Sequence, residues 1–478
     1  MLKPRIFEVV FLAMFFLSST SFAKEHEVFS LEEYLSQVKG ENLAVTSADQ
    51  NAEAFEKLKT KAKLVTAINF FASTEKNSVE QNQALQIFRY TKVYNDKNQV
   101  GFSQTSDFGL NTKLYYSLNR VKYKNLTTSS SNPSLAADNY QSTPTLEVSL
   151  PLWQNFFGSS TRASKDSLYF SNESQKLNSM ATSLSSLVVA EQSYWALVYA
   201  KKAVEIQKNS LSSAKQIFDY VSNKLRLNLG ETADVLQAKA LLETRKLTLQ
   251  QAQNNEKLSA RDFNKNRFIN SNETPANLAD FDYTKIHNFL IPQEKKDRLD
   301  VKSQEAKMKA AVADAKVSEE SAKPSLSLYG SYSQNQVQPT TLDALNSSFE
   351  RKGRSATVGL KLSMPINFSL NSDIREGSNL SALAAKTNYR QKVFEQETDW
   401  QNLIQNLTIY KENLQLAKKI EEAQRLKLEN ERKLLRQGRT TTYQILLFEQ
   451  DYLNAQLTTI EMAYKMLVLI AETKLYQN

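Results

Sequence analysis

Residues 177–198 of this 478-residue chain have the sequence LNSMATSLSSLVVAEQSYWALV, in which apolar side chains recur at alternating steps of three and four residues. That spacing predicts an α-helix with one apolar seam, as in left-handed coiled coils. The helix has room to be long, because neither glycine nor proline occurs between Gly158 and Gly230. A helix over that interval would extend about 105 Å, several times the usual helix length in a compact globule.

Other long intervals of the chain also lack glycine and proline. They are residues 231–274, 293–323, 378–437 and 439–478. The seams include Glu191 and many serine and alanine residues, so we interpret these helices as neighbours around a wide tube; a dry two-stranded core is the alternative. Near the start, the SLEE sequence at residues 30–33 is a capping box and predicts a helix to about Leu64.

The composition excludes several classes of protein. Cysteine is absent and the only histidines are His26 and His287, which leaves no disulfide framework and little material for a zinc site or a Ser-His-Asp triad. Ten glycines and nine prolines are fewer than a Rossmann or P-loop enzyme of this length normally contains. A mean hydropathy of −0.49 excludes a polytopic helical membrane protein. We therefore expect no enzyme, no cofactor and no metal site.

The first 23 residues have the features of an export signal. Lys3 and Arg5 precede an apolar run at residues 9–17, and small residues follow up to Ala23. This order predicts a secretory signal peptide, because the apolar run is too short to span a bilayer; a short amphipathic anchor is the alternative. Removing Lys3, Arg5 and Glu8 lowers the formal charge from +9 to +8, and the charges are interspersed, so we expect no nucleic-acid partner.

Period-two alternation marks the segments between the helices. In residues 357–364, Val358, Leu360, Leu362 and Met364 share one face, and Thr357, Gly359, Lys361 and Ser363 share the other. Residues 145–150 alternate in the same way, and 325–328 and 114–118 do so over shorter lengths. The pattern predicts strands of a transmembrane β-barrel, with an ordinary half-buried antiparallel sheet as the alternative. Residues 125–143 and 334–353 are expected to be long exposed loops.

The chain repeats itself with a period near 210 residues. Residues 149–152, SLPL, match 363–366, SMPI, and Leu225-Arg226 matches Leu435-Arg436 at an offset of 210. In this register Asn228 stands opposite Gly438, and both residue types tolerate the left-handed conformation of a tight turn between helices. Gly230 is the alternative turn residue.

The chain contains too few strands to close a barrel alone. The sequence predicts four to six strands per chain, whereas closure takes about eight or more. Three chains of four strands would form a twelve-stranded barrel without free edges, so the barrel interpretation requires an oligomer. Pro151 and Pro365 end the repeat-related strands, because proline has no N–H to donate, and mark the junction between strands and helices.

Taken together, these features resemble the TolC-type outer-membrane efflux proteins, the outer membrane factors. The resemblance covers the whole mature chain and includes the turn followed by Asp-Val-Leu-Gln-Ala at residues 234–238. It implies a mixed, mainly α fold in which long coiled-coil-like helices form a periplasmic α-barrel and strands contribute to a trimeric transmembrane β-barrel. The implied partners are two further copies of the chain, outer-membrane lipid, a periplasmic adaptor and an inner-membrane transporter.

The resemblance also implies functional positions. The adaptor-docking tips fall at Leu227, Asn228, Leu229 and Gly230 in the first half, and at Gln437, Gly438 and Arg439 in the second. Candidates for the pore constriction are Asp234, which keeps the family's aspartate, and Gln444, which replaces it. Residues 76–109 are longer than the corresponding segment of the family, which leaves room for an extra hairpin.

These inferences divide the chain into seven segments. They are a signal peptide (1–23), an N-terminal helix (24–64), first barrel strands (65–157), a first long helical hairpin (158–269), an equatorial segment and helix (270–323), second barrel strands (324–370) and a second long hairpin (371–478). The function implied is a passive exit duct in the outer membrane of a Gram-negative-type cell, serving efflux or type I secretion. The alternative is a periplasmic coiled-coil scaffold that conducts nothing.

Overall fold

The computed structural model describes residues 28–80, 88–128, 138–275, 277–350, 353–364 and 366–477. The signal peptide and Pro365 lie outside the described residues. The helices are α1 Leu31–Glu41, α2 Leu43–Leu58, α3 Lys61–Leu64, α4 Ser159–Arg226, α5 Thr232–Asn266, α6 Tyr283–His287, α7 Leu299–Ser321, α8 Thr341–Asn346, α9 Phe368–Arg436 and α10 Thr442–Thr473. The strands are β1 Asn69–Val79, β2 Phe88–Arg89, β3 Lys92–Thr105, β4 Asn111–Lys124, β5 Thr127–Thr128, β6 Asp138–Pro151, β7 Ser325–Gln334, β8 Gln336–Gln338 and β9 Arg354–Ser363.

Two very long helices dominate the molecule. Helices α4 and α9 contain 68 and 69 residues, and each extends about 100 Å at the usual rise per residue. Each turns back into a shorter helix, α5 or α10, so the two halves of the chain form two helical hairpins. The apolar seam of α4 is buried where Tyr194 and Val198 meet the neighbouring helices. The predicted mixed, mainly α fold with an internal duplication is confirmed. Within the described residues, no helix has both the length and the apolar character needed to cross a bilayer.

The largest core lies where the N-terminal helices meet both hairpins. Tyr34 of α1 stacks on Phe263 of α5 with ring centroids 4.3 Å apart, and its hydroxyl donates to the Phe263 carbonyl. Tyr194 of α4 donates to the Phe29 carbonyl over 2.7 Å and accepts from the Ala279 N–H over 3.0 Å. These buried tyrosines connect the first residues of the described chain, the first hairpin and the segment that follows it.

The N-terminal helix differs from the sequence prediction. One continuous helix was expected to Leu64, but the structure has three helices in this region, α1 to α3. The Ser30 hydroxyl caps α1 as predicted, by accepting from the Glu33 N–H. Asn42 then leaves the helical conformation, and its side-chain oxygen accepts from the N–H groups of Ala44 and Val45. Asparagine at such a position caps a new helix more favourably than it continues an old one.

The strands form one antiparallel sheet in the order β1-β3-β4-β6-β7-β9, with the short β8 added beside β6. Strands β4 and β6 precede α4, and β7 and β9 precede α9, so these four neighbouring strands of the sheet are the two duplicated hairpins. The hairpin of β1 and β3 precedes these four strands in the chain and pairs with them through β4. It is the extra hairpin for which residues 76–109 were predicted to leave room. The chain contributes six long strands to this sheet, within the four to six predicted from the sequence, whereas the twelve-stranded trimer assumed four. Strands β1 and β9 are its two edges.

The connection between β7 and β9 also differs from the prediction. Residues 334–353 were expected to be an exposed loop, but they contain β8 and the short helix α8. The carbonyl of Ala344 in α8 accepts from the Ser142 hydroxyl over 2.6 Å, and the Ser348 hydroxyl lies 2.5 Å from that of Tyr116. Since Ser142 and Tyr116 belong to β6 and β4, α8 packs against the sheet.

A sharp turn joins β6 to α4. Asn155, Phe157 and Gly158 all have positive φ angles, of 59°, 47° and 74°. A Cβ atom at Gly158 would lie 2.0 Å from the carbonyl oxygen of Asp107, in the turn between β3 and β4. Only glycine fits there, because it combines the left-handed conformation with the absence of a side chain.

Replacing this glycine tests how closely the strand turn and the helix start are packed. We expect Gly158→Ala to lower stability by about 2 kcal/mol or more, from left-handed strain and the contact with Asp107. Gly377→Ala is the matched control, because Gly377 lies inside α9 with no atom near an added Cβ, and it is expected to stabilise by about 0.5–1 kcal/mol. Thermal unfolding followed by circular dichroism measures both. A Gly158→Ala protein as stable as the parent would contradict the packing.

Candidate functional site

One face of the sheet is apolar and exposed. The strand register aligns Phe70, Phe102 and Leu114 across β1, β3 and β4, and the row continues to Leu146 on β6. We call this face the apolar band; its exposed members are Phe70, Val100, Phe102, Leu114, Leu146, Leu328, Val358, Leu360 and Leu362. On β9 the exposed fractions reach 80% at Val358, 67% at Leu360 and 61% at Leu362. A half-buried soluble sheet would cover such side chains, so the apolar band needs another apolar environment.

The opposite face of the sheet is polar. One row across it consists of Ser73, Gln99, Ser117 and Thr143, on four neighbouring strands. On the same face, a Cβ atom at Gly359 would lie 2.6–2.9 Å from atoms of the Tyr329 ring, so the tyrosine covers the glycine. The alternation of Thr357 to Ser363 predicted from the sequence therefore holds across the sheet, with apolar and polar side chains on opposite faces.

The end of β6 is the junction between sheet and helices. Pro151 is the last residue of the strand, as predicted, although the Leu152 N–H still donates to the Leu326 carbonyl over 2.7 Å. Exposed aromatic side chains follow the proline. They are Trp153, Phe156 and Phe157.

Glu320 of α7 holds this junction in place. Its buried carboxylate accepts from the Asn155 N–H over 3.1 Å and from Lys323 over 2.6 Å. Burial alone would raise the pKa of Glu320, but the hydrogen bond and charge of Lys323, together with the Asn155 N–H, hold it below its ordinary value. The carboxylate is therefore charged at neutral pH and fixes the turn that leads into α4.

The two hairpin tips share one backbone geometry. In the second tip, the Gly438 N–H donates to Leu435 and the Arg439 N–H donates to Leu434, over 3.0 Å each. In the first tip, the N–H groups of Asn228 and Leu229 make the matching bonds to Leu225 and Lys224, over 2.9 Å each. Both are Schellman motifs, with a left-handed residue after the helix.

The turn residue of the first tip is Asn228. Its φ of 55° corresponds to the 71° of Gly438, so the repeat offset of 210 holds through the turn. Gly230, the alternative turn residue, is not among the residues with positive φ; an added Cβ there would lie 3.2 Å from the main chain of Leu225.

The tip surfaces differ in chemistry. The first tip exposes Leu227 and Leu229, with exposed fractions of 64% and 72%. The second exposes Gln437 and Arg439 at the same positions. The same backbone therefore presents an apolar surface in one half and a polar, basic surface in the other.

The two candidates for the constriction lie in the first turns of α5 and α10. The Gln444 N–H donates to the hydroxyl of Thr441, which caps α10. Asp234 occupies the same helical position in α5, where a negative charge is favourable at the helix N-terminus. Both residues are half-buried in the single chain. Their placement gives each a local structural role as well.

A buried polar cluster near the tips was not predicted from the sequence. Glu449 of α10 accepts from Arg432 of α9, and Arg432 also donates to Ser213 of α4 over 3.0 Å. Arg245 of α5, with an exposed fraction of 3%, donates to Gln450 over 2.7 Å. Burial lowers the pKa of Arg245, while the Glu449 charge acts in the opposite direction. The sequence contained a feature that could have predicted this cluster, because Arg245 and Glu449 are charged residues among the apolar residues of their helices.

This architecture defines a class of protein: a sheet with one exposed apolar face, continued by two long helical hairpins. Residues 290–477 match the family model described as OEP, outer membrane efflux protein. The resemblance to the TolC-type family is confirmed for this C-terminal part of the chain, which is less than half of its length, and the predicted outer-membrane location agrees with the family description. No curated protein matches the chain by sequence.

Solved outer-membrane channels share the fold. VceC from Vibrio cholerae has a TM-score of 0.62 at 12% identity, over 93% of this chain and 96% of that one. The MtrE channel of Neisseria gonorrhoeae, in its open state, has a TM-score of 0.62 at 14% identity, over 93% of this chain and 88% of that one. The Campylobacter jejuni CmeC channel has a TM-score of 0.59 at 15% identity, over 93% of this chain and 85% of that one. At these identities the likeness concerns the fold.

The buried pair of Arg432 and Glu449 provides a test of what holds the hairpins together. Arg432→Gln leaves a buried carboxylate without its counter-ion, so we expect local stability to fall by about 1–3 kcal/mol, discounted because Arg432 is partly exposed. Lys246→Gln removes the exposed pair with Glu243 on α5 and should have no measurable effect. Amide hydrogen exchange along α10 measures the difference. Equal exchange in both variants would contradict a structural role for the cluster.

Proposed function

We propose that the chain forms a passive exit duct in the outer membrane, as the channel of a tripartite efflux or type I secretion system. Three copies place their sheets in one transmembrane barrel and their long helices in one tube through the periplasm. An adaptor and an inner-membrane transporter deliver the substrate. The protein binds no nucleic acid, needs no cofactor and catalyses no reaction.

The observation that carries this proposal is the exposed apolar band. Residues 358–364 extend about 20 Å along the strand, on the scale of the apolar belt of outer-membrane barrels, which is about 25 Å tall. The polar opposite face suits a water-filled lumen. The exposed Trp153, Phe156 and Phe157 at the junction suit the aromatic girdle at the periplasmic interface.

The hairpin tips are proposed as the surface that meets the adaptor. Helices α4 and α9 place the tips about 100 Å from the junction, at the end farthest from the membrane. Gly438 has no side chain and no atom within 4 Å of the position of a Cβ, so a partner helix has access to the turn. Asp234 and Gln444, one turn into the returning helices, are proposed to face the narrow end of the tube.

The second candidate function is a periplasmic scaffold that conducts nothing. It is favoured by the long helices, which need no membrane. The apolar band argues against it, because a scaffold surrounded by water would expose that face at a large cost. Fractionation separates the two: a duct is extracted from outer membranes by detergent as a trimer, whereas a scaffold is released as soluble protein.

Thiol labelling tests the orientation of β9. Cysteines at Val358, Leu360 and Leu362 are expected to face lipid and to resist water-soluble maleimides, whereas those at Thr357 and Lys361 are expected to react. Gly359 is left out, because a side chain there would contact Tyr329. The parent chain has no cysteine, so the background is clean. Uniform labelling along the strand would favour the scaffold.

Substitution at the tips tests adaptor docking. Gly438→Val is expected to cost about 1–2 kcal/mol of backbone strain and to place a branched side chain on the docking surface. We therefore expect trimers at normal levels in the outer membrane, with export lost. Gly438→Asn is the matched control for the backbone, because asparagine adopts the same conformation at position 228. Its trimers should be as stable as those of the parent.

Export is measured in a strain that lacks the native gene, after the trimer level of each variant is confirmed. If Gly438→Val exports normally at normal trimer levels, the second tip is not the docking surface. The same substitution at Asn228 tests the apolar tip separately.

A further inference from the structure

The hairpin of β1 and β3 is an integral part of the sheet. Strand β3 pairs with β4 over 14 residues, and β1 pairs with β3 over 11. At Gly101 the two hairpins approach so closely that a Cβ would lie 2.4 Å from the Cβ of Tyr115. Phe71 contacts the Tyr115 ring across this glycine, with centroids 6.3 Å apart. Such packing fixes the hairpin in the plane of the sheet.

The hairpin continues both faces of the sheet. Phe70 and Phe102 extend the apolar band, with ring centroids 5.6 Å apart and edge to face. Ser73 and Gln99 extend the polar face beside Ser117. A hairpin that folded away from the membrane as an extracellular loop would not need apolar and polar side chains on opposite faces. Two further strands of the barrel wall would need that alternation.

The edges of the sheet are matched to each other. Strand β1 has 11 residues and β9 has 10, and each edge is unpaired in the described chain. Because the path contains six strands, an even number, β9 of one copy runs antiparallel to β1 of the next. Free edges of this length do not persist within a bilayer, since their N–H and C=O groups have no other partner there. Six strands are also too few for one chain to close by itself.

We propose that β1 of each chain pairs with β9 of the next copy, so that three copies form an eighteen-stranded barrel. This inference rests on the proposed trimeric channel. Barrel diameter grows about linearly with strand number, so the wall is about 1.5-fold wider than that of a twelve-stranded barrel. The outer part of the duct then admits bulkier cargo than a twelve-stranded wall, and the narrow point lies in the helical tube.

Disulfide cross-linking decides which strands meet between copies. Ala72→Cys on β1 is combined in turn with Val358→Cys, Leu360→Cys and Leu362→Cys on β9; all four positions lie on the apolar face. A second series combines Leu114→Cys on β4 with the same three. Copper phenanthroline oxidation in native outer membranes is followed by denaturing, non-reducing electrophoresis. Each single-cysteine chain serves as its own control in a cysteine-free background.

We expect at least one combination with Ala72→Cys to link neighbouring chains into covalent dimers and trimers, and no combination with Leu114→Cys to do so. Links only from Leu114→Cys would mean that β4 meets β9 in a twelve-stranded barrel and would overturn the inference. Intact outer-membrane trimers with no links in either series would overturn it too. The absence of outer-membrane trimers from the parent chain would instead refute the proposed function, which separates the two failures.

Discussion

Within a bilayer every backbone N–H and C=O group must find its hydrogen-bond partner in protein, and this constraint governs the whole molecule. The sheet meets it in its interior, where each long strand pairs with its neighbours, but not at β1 and β9. The exposed apolar band needs an apolar environment on one face of the sheet, and the two edge strands have no partner in the described chain. In the proposed channel, the hydrogen-bonding groups of these two edges then require further copies of the chain.

The long helices determine how far the sheet lies from the hairpin tips. A pair of helices near 70 residues bridges about 100 Å only if nothing interrupts the backbone ladder, which explains why α4 contains neither glycine nor proline and α9 contains only Gly377, close to its start. Where the chain must reverse, Asn228 and Gly438 provide the left-handed residue of identical Schellman motifs. At the other end, Gly158 lets the helix start directly against the turn at Asp107. A few backbone positions thus connect sheet, tube and tips.

Sequence periodicity predicted most of this architecture because seams and alternation are local properties. The long helices, the faces of β9 and the repeat offset at the tips were all accessible in this way. The break at Asn42 was missed because the capping box at residues 30–33 gives the start of a helix and not its end. The pairing of Arg245 with Gln450 and of Arg432 with Glu449 was missed because it joins separate helices. The same reason hid the packing of α8 on β6 and the place of the extra hairpin in the sheet.

The duplication has kept its backbone and changed its surfaces. Leu227 and Leu229 in one tip correspond to Gln437 and Arg439 in the other, around turns with the same hydrogen bonds. Likewise Asp234 corresponds to Gln444 in the first turn of the returning helix. Backbone geometry is constrained by the tube, which needs both hairpins to be equally long, whereas the exposed tip side chains are constrained only by what they contact. In a ring of three copies, apolar and basic tips would alternate, so a partner that spans neighbouring tips meets two chemically different surfaces.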